Sequence, residues 1–186
     1  DSHYAMPSID ADLSRLAGLE LAPFSRAIEA GLDSVMTAHI ALPRITGDPE
    51  LPATLSSRLL TGILRNTMGF TGVVVTDGLE MQGIVSKYGS GRAAVLAILA
   101  GADMPMVLWT PKVKDEVYQA MLAAIRAGEI TEDRLDESVR RILLVKKKRG
   151  LFDRQIEKLD SVLKGHNRNS VHDEIAERIS AQLAEP

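Results

Sequence analysis

Asp77 carries the best-placed carboxylate in this sequence. It follows the β-branched run Val73-Val74-Val75-Thr76 and precedes Gly78. In α/β barrels and open parallel sheets, catalytic groups collect at the carboxyl ends of the strands, so an acid there suits nucleophilic or acid–base work. The position equally suits a helix cap or a turn residue ahead of Gly83. A second grouping is Asp1-Ser2-His3. In an extended loop, residues two apart can face the same side, which lets the Asp1 carboxylate set the tautomer of His3 and support its protonated form. Such a triplet is also a common exposed loop. His39 lies at the end of a strand expected over Ser34 to Ile40, where pocket lining and a satisfied core histidine are equally good readings.

Other chemistries find little support. The four His, at 3, 39, 166 and 172, have no metal-site spacing of the HExxH kind. The absence of Cys excludes disulfides, thiolate metal ligands and Cys nucleophiles. Gly89-Ser90-Gly91 lacks both a third Gly and a preceding strand, so it reads as a flexible turn rather than a phosphate loop. Lys146 to Arg149 reads as the solvated face of a helix near its C-terminus, where the dipole favours cations. A net charge of −3, with 22 basic and 25 acidic residues intermixed, argues against a nucleic-acid partner. No apolar run approaches the roughly 20 residues of a membrane span. At 186 residues, with 45% apolar and 25% charged side chains, the composition is that of one globular domain.

The elements that must position these residues read as βα units around a parallel sheet. A helix is expected from Pro23 to Ala30, stopped by Gly31, and a buried strand from Ser34 to Ile40. A Pro-punctuated loop, Leu42 to Ala53, leads into a helix that runs to Met68 and ends at Gly69. Gly72 to Thr76 is the clearest strand, its three successive Val suiting a sheet covered on both faces. A helix from Arg92 to Gly101, a strand from Met104 to Trp109 weakened by Pro105, and helices Val113 to Ala127 and Thr131 to Leu151 follow. Beyond Phe152 the chain turns polar, with helices expected near Ile156 to Leu163 and Val171 to Ala184 and a loop marked by Gly165, Asn167 and Asn169. Three strands do not close a barrel or complete an ordinary doubly wound sheet, so the chain reads as a piece of a larger one.

Taken in order, the segments Asp1-Ser2-His3-Tyr4-Ala5-Met6-Pro7, Leu21-Ala22-Pro23-Phe24, Val35-Met36-Thr37-Ala38-His39-Ile40, Pro52-Ala53-Thr54-Leu55-Ser56 and Gly69-Phe70-Thr71-Gly72 resemble one family. So do Val73 to Met81, Ala100-Gly101-Ala102-Asp103, Arg134 to Leu143 and Lys148-Arg149-Gly150-Leu151-Phe152. The family is glycoside hydrolase family 3, in its β-N-acetylglucosaminidase branch. The resemblance implies an α/β fold, the C-terminal portion of a (β/α)8 barrel with about three parallel strands over residues 1–152, and a helical extension over 153–186 toward a possible second domain. The earlier strands and most sugar-gripping groups would lie upstream.

The chemistry implied by the resemblance is retaining hydrolysis of terminal β-linked N-acetylglucosamine, from peptidoglycan fragments or chitin oligomers. Asp77 would be the nucleophile, His3 the general acid/base and Asp1 its orienting partner, with His39 and Met81 as substrate contacts. A His is physically sensible as the acid/base, because its ordinary pKa of about 6.5 lies close to working pH. No cofactor or metal is needed for this route. The implied partners are the oligosaccharide and the upstream part of the barrel. Gly78 departs from the second Asp that many acetylglucosaminidase relatives carry there. A β-glucosidase or β-xylosidase, and a non-catalytic carbohydrate-binding relative, are the competing readings.

Overall fold

Parallel strands need crossover connections, and each crossover in this chain carries helices. The computed structural model describes residues 3–151, and in it β1 (Ser34–Met36), β2 (Val73–Gly78) and β3 (Met104–Met106) form one parallel sheet with β2 in the centre. Ser34 to Met36 pair with Val73 to Val75, and Val75 pairs onward with Met104. The register then slips, so that Gly78 meets Met106. The chain forms two compact units, Asp1–Val145 and Lys146–Pro186. The helices and loop expected between Ile156 and Ala184 lie outside the described residues.

Burial explains why these residues form this sheet. Val35, Val74 and Leu79 turn to one side and pack with Leu55, Leu60, Phe70, Ile84 and the small residues Ala93, Ala94, Ala97 and Ala100. Those alanines lie on the helix Ser90–Ala100 and let it approach the sheet closely. Outside it stands the helix Pro111–Arg126, which packs Ala124 against Val95, Ile98 and Ile130. The other side of the sheet differs. Met36, Val75 and Met104 form one cross-strand row, and Met36 and Met104 are exposed among the described residues. Of the consecutive valines, Val73 and Val74 are buried, one on each side of the sheet, whereas Val75, further along the open side, is only half-buried. An apolar row on the open side is what the inward layer of an incomplete barrel would present.

Element ends also depart from the sequence expectations. The strands expected over Ser34 to Ile40 and Met104 to Trp109 each stop after three residues. Past Thr37 the chain turns away and pairs through Ala41 with Ser8 and Pro52. Past Met106 the three N–H groups of Leu108, Trp109 and Thr110 are claimed by the Glu80 carboxylate instead of a neighbouring strand. β2, by contrast, runs through Asp77 to Gly78. The supposed loop Leu42 to Ala53 contains a short helix, Pro43–Thr46, closed by Gly47 at φ +79°. A short helix, Gln82–Tyr88, too brief to show a periodic pattern, also follows β2 and ends at Gly89 at φ +67°.

The N-terminal end of the sheet is locked by charge. Asp103, directly before β3, is fully buried; its Oδ2 accepts from Arg65 Nη2 at 2.6 Å and from the Val74 N–H at 2.9 Å. Its Oδ1 accepts from the Ser138 hydroxyl and from Arg141 Nη1, both at 2.9 Å, with Arg134 Nη2 at 3.8 Å. Arg65 also donates to the carbonyls of Gly72 and Gly101. Both glycines are required by space: a Cβ at Gly72 would overlap the Asp33 carbonyl, and one at Gly101 (φ +119°) would come within 2.6 Å of Thr61 Oγ1.

Candidate active site

The opposite, C-terminal end of the sheet holds Asp77. β2 carries Val75 and Asp77 on the same side by strand alternation, so Asp77 faces the open side of the sheet beyond the Met36–Val75–Met104 row. Its carboxylate accepts one bond, from the Gly78 N–H to Oδ1 at 2.7 Å, while Oδ2 has no partner among the described residues. The backbone N–H of Asp77 points at Thr37 Oγ1, 3.4 Å away. Half-buried and held by one oxygen, the carboxylate has its other oxygen uncommitted among the described residues.

His39 lies directly behind it. The imidazole is fully buried, with Nε2 3.0 Å from the Gly78 carbonyl and Nδ1 2.9 Å from Thr54 Oγ1. Burial pulls its pKa below the ordinary 6.5, partly opposed by the Gly78 carbonyl and by the charge of Asp77. The ring is therefore neutral at pH 7 and its nitrogens are spent on protein partners. Fully buried and bonded through both nitrogens, His39 has the surroundings of a satisfied core histidine. Met81 is buried as well, its N–H donating to the Gly78 carbonyl at 3.1 Å. Both residues expected as substrate contacts thus sit beneath Asp77 and Gly78.

Glu80 ties two loops together at the same end. Partial desolvation acts to raise its pKa, but hydrogen bonds from the Thr110 side chain and from the N–H groups of Trp109, Leu108 and Thr110 prevail and bring it to about 2. The loop so fixed exposes Leu108 and Trp109, and Leu108 lies against Gly78. Among the described residues, no group of three or more His, Cys, Asp or Glu side chains is arranged to hold a metal. No helix among them is long and apolar enough to cross a membrane.

Residues 1–145 match the glycosyl hydrolase family 3 N-terminal domain. The chain belongs to glycosyl hydrolase family 3. It is 38% identical over 125 residues to a β-hexosaminidase of Chromobacterium violaceum, covering 67% of this chain and 33% of that protein. It is 39% identical over 136 residues to a β-N-acetylglucosaminidase/β-glucosidase of Cellulomonas fimi, covering 69% of this chain and 24% of that one. A family 3 β-N-acetylglucosaminidase from a Paenibacillus species superposes with a TM-score of 0.80 at 46% identity, over 83% of this chain and 29% of that structure. The chain thus spans about a third or less of the length of these relatives. Three parallel strands with their helices are part of the (β/α)8 barrel expected of this family, and the glycoside hydrolase assignment rests on the same matches.

Within this family 3 domain, Asp77, His39 and Met81 are brought together at one strand end. His3 is exposed in the first described turn, and Asp1 lies outside the described residues. The segment after His3 is tied to the loop after His39, because Ala41 donates to the Pro7 carbonyl and Ile9 donates to that of Ala41. Sequence reasoning missed Thr37, Thr54 and Glu80. No spacing rule marks them; each acts through a contact with a residue 17 or more positions away.

Proposed function

We propose that this chain is part of a retaining glycosidase that releases terminal β-linked N-acetylglucosamine. The observation that carries the reading is Asp77: a half-buried carboxylate at the C-terminal end of the central strand, one oxygen held by the Gly78 N–H and the other unspent. In the first step an Asp77 oxygen attacks the anomeric carbon while His3 protonates the departing glycosidic oxygen, giving a covalent glycosyl-Asp77 and a free alcohol. In the second, His3 takes a proton from water, whose oxygen displaces Asp77 at the same carbon, restoring both residues. Two inversions retain the β configuration. Asp1 would hold the His3 ring in the required tautomer. Residues 1–152 would supply the last three strands of the barrel, preceding residues the remainder, and 153–186 a helical extension. Peptidoglycan fragments and chitin oligomers are the substrates such chemistry fits.

A fluorinated N-acetylglucosaminyl donor tests this in the polypeptide that carries the whole barrel. Intact-mass measurement should find one sugar adduct, localised to the peptide containing Asp77. Trapping on another residue, or hydrolysis at the full rate by Asp77→Ala, overturns the mechanism. A second reading, a β-glucosidase or β-xylosidase, is favoured by Gly78, which leaves the position after Asp77 without a side chain. Comparing chromogenic N-acetylglucosaminide, glucoside and xyloside separates these, and sugar binding without turnover of any of them would favour a carbohydrate-binding relative.

A further inference from the structure

The hydrogen bonds beneath Asp77 form a chain whose direction is fixed by the donors available. The Gly78 carbonyl can only accept, so His39 Nε2 carries the proton. With the ring neutral, Nδ1 must accept, and among the described residues its partner is the Thr54 hydroxyl at 2.9 Å. That hydroxyl has one proton. Once it is given to Nδ1, the Ala38 carbonyl 3.1 Å away is left as the weaker neighbour, and Thr37 Oγ1, 2.8 Å from Thr54 Oγ1, must be the donor to it. Thr37 Oγ1 is then free to accept from the Asp77 N–H. The resulting order runs one way: Asp77 N–H to Thr37, Thr37 to Thr54, Thr54 to His39, and His39 to the Gly78 carbonyl.

The chain begins and ends on the peptide units that flank the Asp77–Gly78 bond, and the N–H within that bond holds the Asp77 carboxylate itself. Thr54 and His39 are fully buried and Thr37 nearly so, so water does not compete for these bonds. We propose that Thr37, Thr54 and His39 are positioning residues that clamp the backbone on both sides of Asp77 and thereby aim its carboxylate for attack on the anomeric carbon. The inference rests on the reading of Asp77 as nucleophile. Small displacements of a reacting group cost rate steeply, whereas binding of the sugar depends on groups elsewhere.

Thr→Val exchanges in the whole-barrel protein remove one hydroxyl with little change of shape, and Thr→Ser exchanges return it. With the fluorinated donor, the saturating rate of covalent trapping reads attack, and the donor concentration giving half that rate reads binding. Thr37→Val and Thr54→Val should each trap about 10- to 100-fold more slowly at a nearly unchanged half-saturating concentration, and Thr37→Ser and Thr54→Ser should recover most of the loss. Val variants that trap at the parent rate, or Ser variants as slow as the Val ones, overturn the clamp. In the unsubstituted protein, imidazole nitrogen NMR should find His39 protonated at Nε2 and bare at Nδ1; the opposite tautomer overturns the order of donors without any variant. An inert Asp77→Ala beside Val variants of full speed defeats the clamp alone, whereas an active Asp77→Ala defeats the nucleophile reading beneath it.

Discussion

Asp77 and Asp103 stand at opposite ends of the same small sheet, and they are treated in opposite ways. Asp103 is fully buried, and both its oxygens are engaged, by Arg65, Arg141, Ser138 and the Val74 N–H. Asp77 is half-buried, accepts a single bond from its neighbour's N–H, and meets no cation among the described residues. A buried acid with every lone pair committed cannot attack anything; it ties together β2, β3 and the helices that supply its arginines. Asp77, with one oxygen uncommitted among the described residues, ties no second element to the sheet through its carboxylate. On the proposed reading of Asp77 as nucleophile, the difference divides the sheet into a stabilising end and a reactive end, the division expected of parallel α/β barrels.

The largest effect should come from breaking the reactive end. In the whole-barrel protein, Asp77→Ala should lower kcat by about 10³-fold or more, as for loss of a nucleophile elsewhere, with the thermal midpoint almost unmoved; steady-state kinetics and a melting curve measure both. Breaking the other end should do the reverse. Asp103→Ala leaves three mostly buried guanidiniums, of which Arg65 is only 9% exposed, facing one another without their anion. A loss of about 3–5 kcal/mol in unfolding free energy is expected from denaturant titration, with turnover per folded molecule largely preserved. If Asp103→Ala instead abolished turnover in molecules that remain folded, the proposed division would fail.

Two pH effects sharpen the comparison. His39 has a folded pKa below 6.5, so as pH falls under 6.5 the unfolded chain gains a proton at this site before the folded chain does, and stability declines with falling pH through that window. His39→Gln should flatten that part of a stability–pH curve measured by denaturant unfolding. The smaller effect belongs to Glu80. Its carboxylate is held at about 2, below the ordinary 4.5, so its contribution is complete above 4.5 and fades as pH falls toward 2. Glu80→Gln should remove that acid-limb contribution and loosen the loop at Trp109, seen as a change in the emission of the single Trp.

Particular residues show which parts of the fold are written locally in the sequence. Val73 to Val75 announced β2, because successive β-branched residues resist helix and suit a sheet, and the acid at the end of that run stood out for the same local reason. Long amphipathic helices such as Pro111–Arg126 were legible from their repeat. The ends of β1 and β3 were not, since Ala38 to Ile40 and Val107 to Trp109 are as suited to strands as the residues before them. What stops these strands is distant: Pro7 and Ile9 bonding Ala41, and Glu80 taking three N–H groups from the chain after β3.

The amino-acid sequence alone determined the α/β class, the parallel arrangement and the family, because each follows from local propensity, periodicity or ordered motifs that need no partner. It also singled out Asp77. Tertiary structure decided what each polar residue does with its bonds: that His39 is sealed under Gly78, that Thr37 and Thr54 link it to Asp77, and that Asp103 is consumed by arginines while Asp77 is spared. Burial and hydrogen-bond partnership are properties of pairs brought together from 15 to 40 positions apart, and no rule of spacing along one chain encodes them.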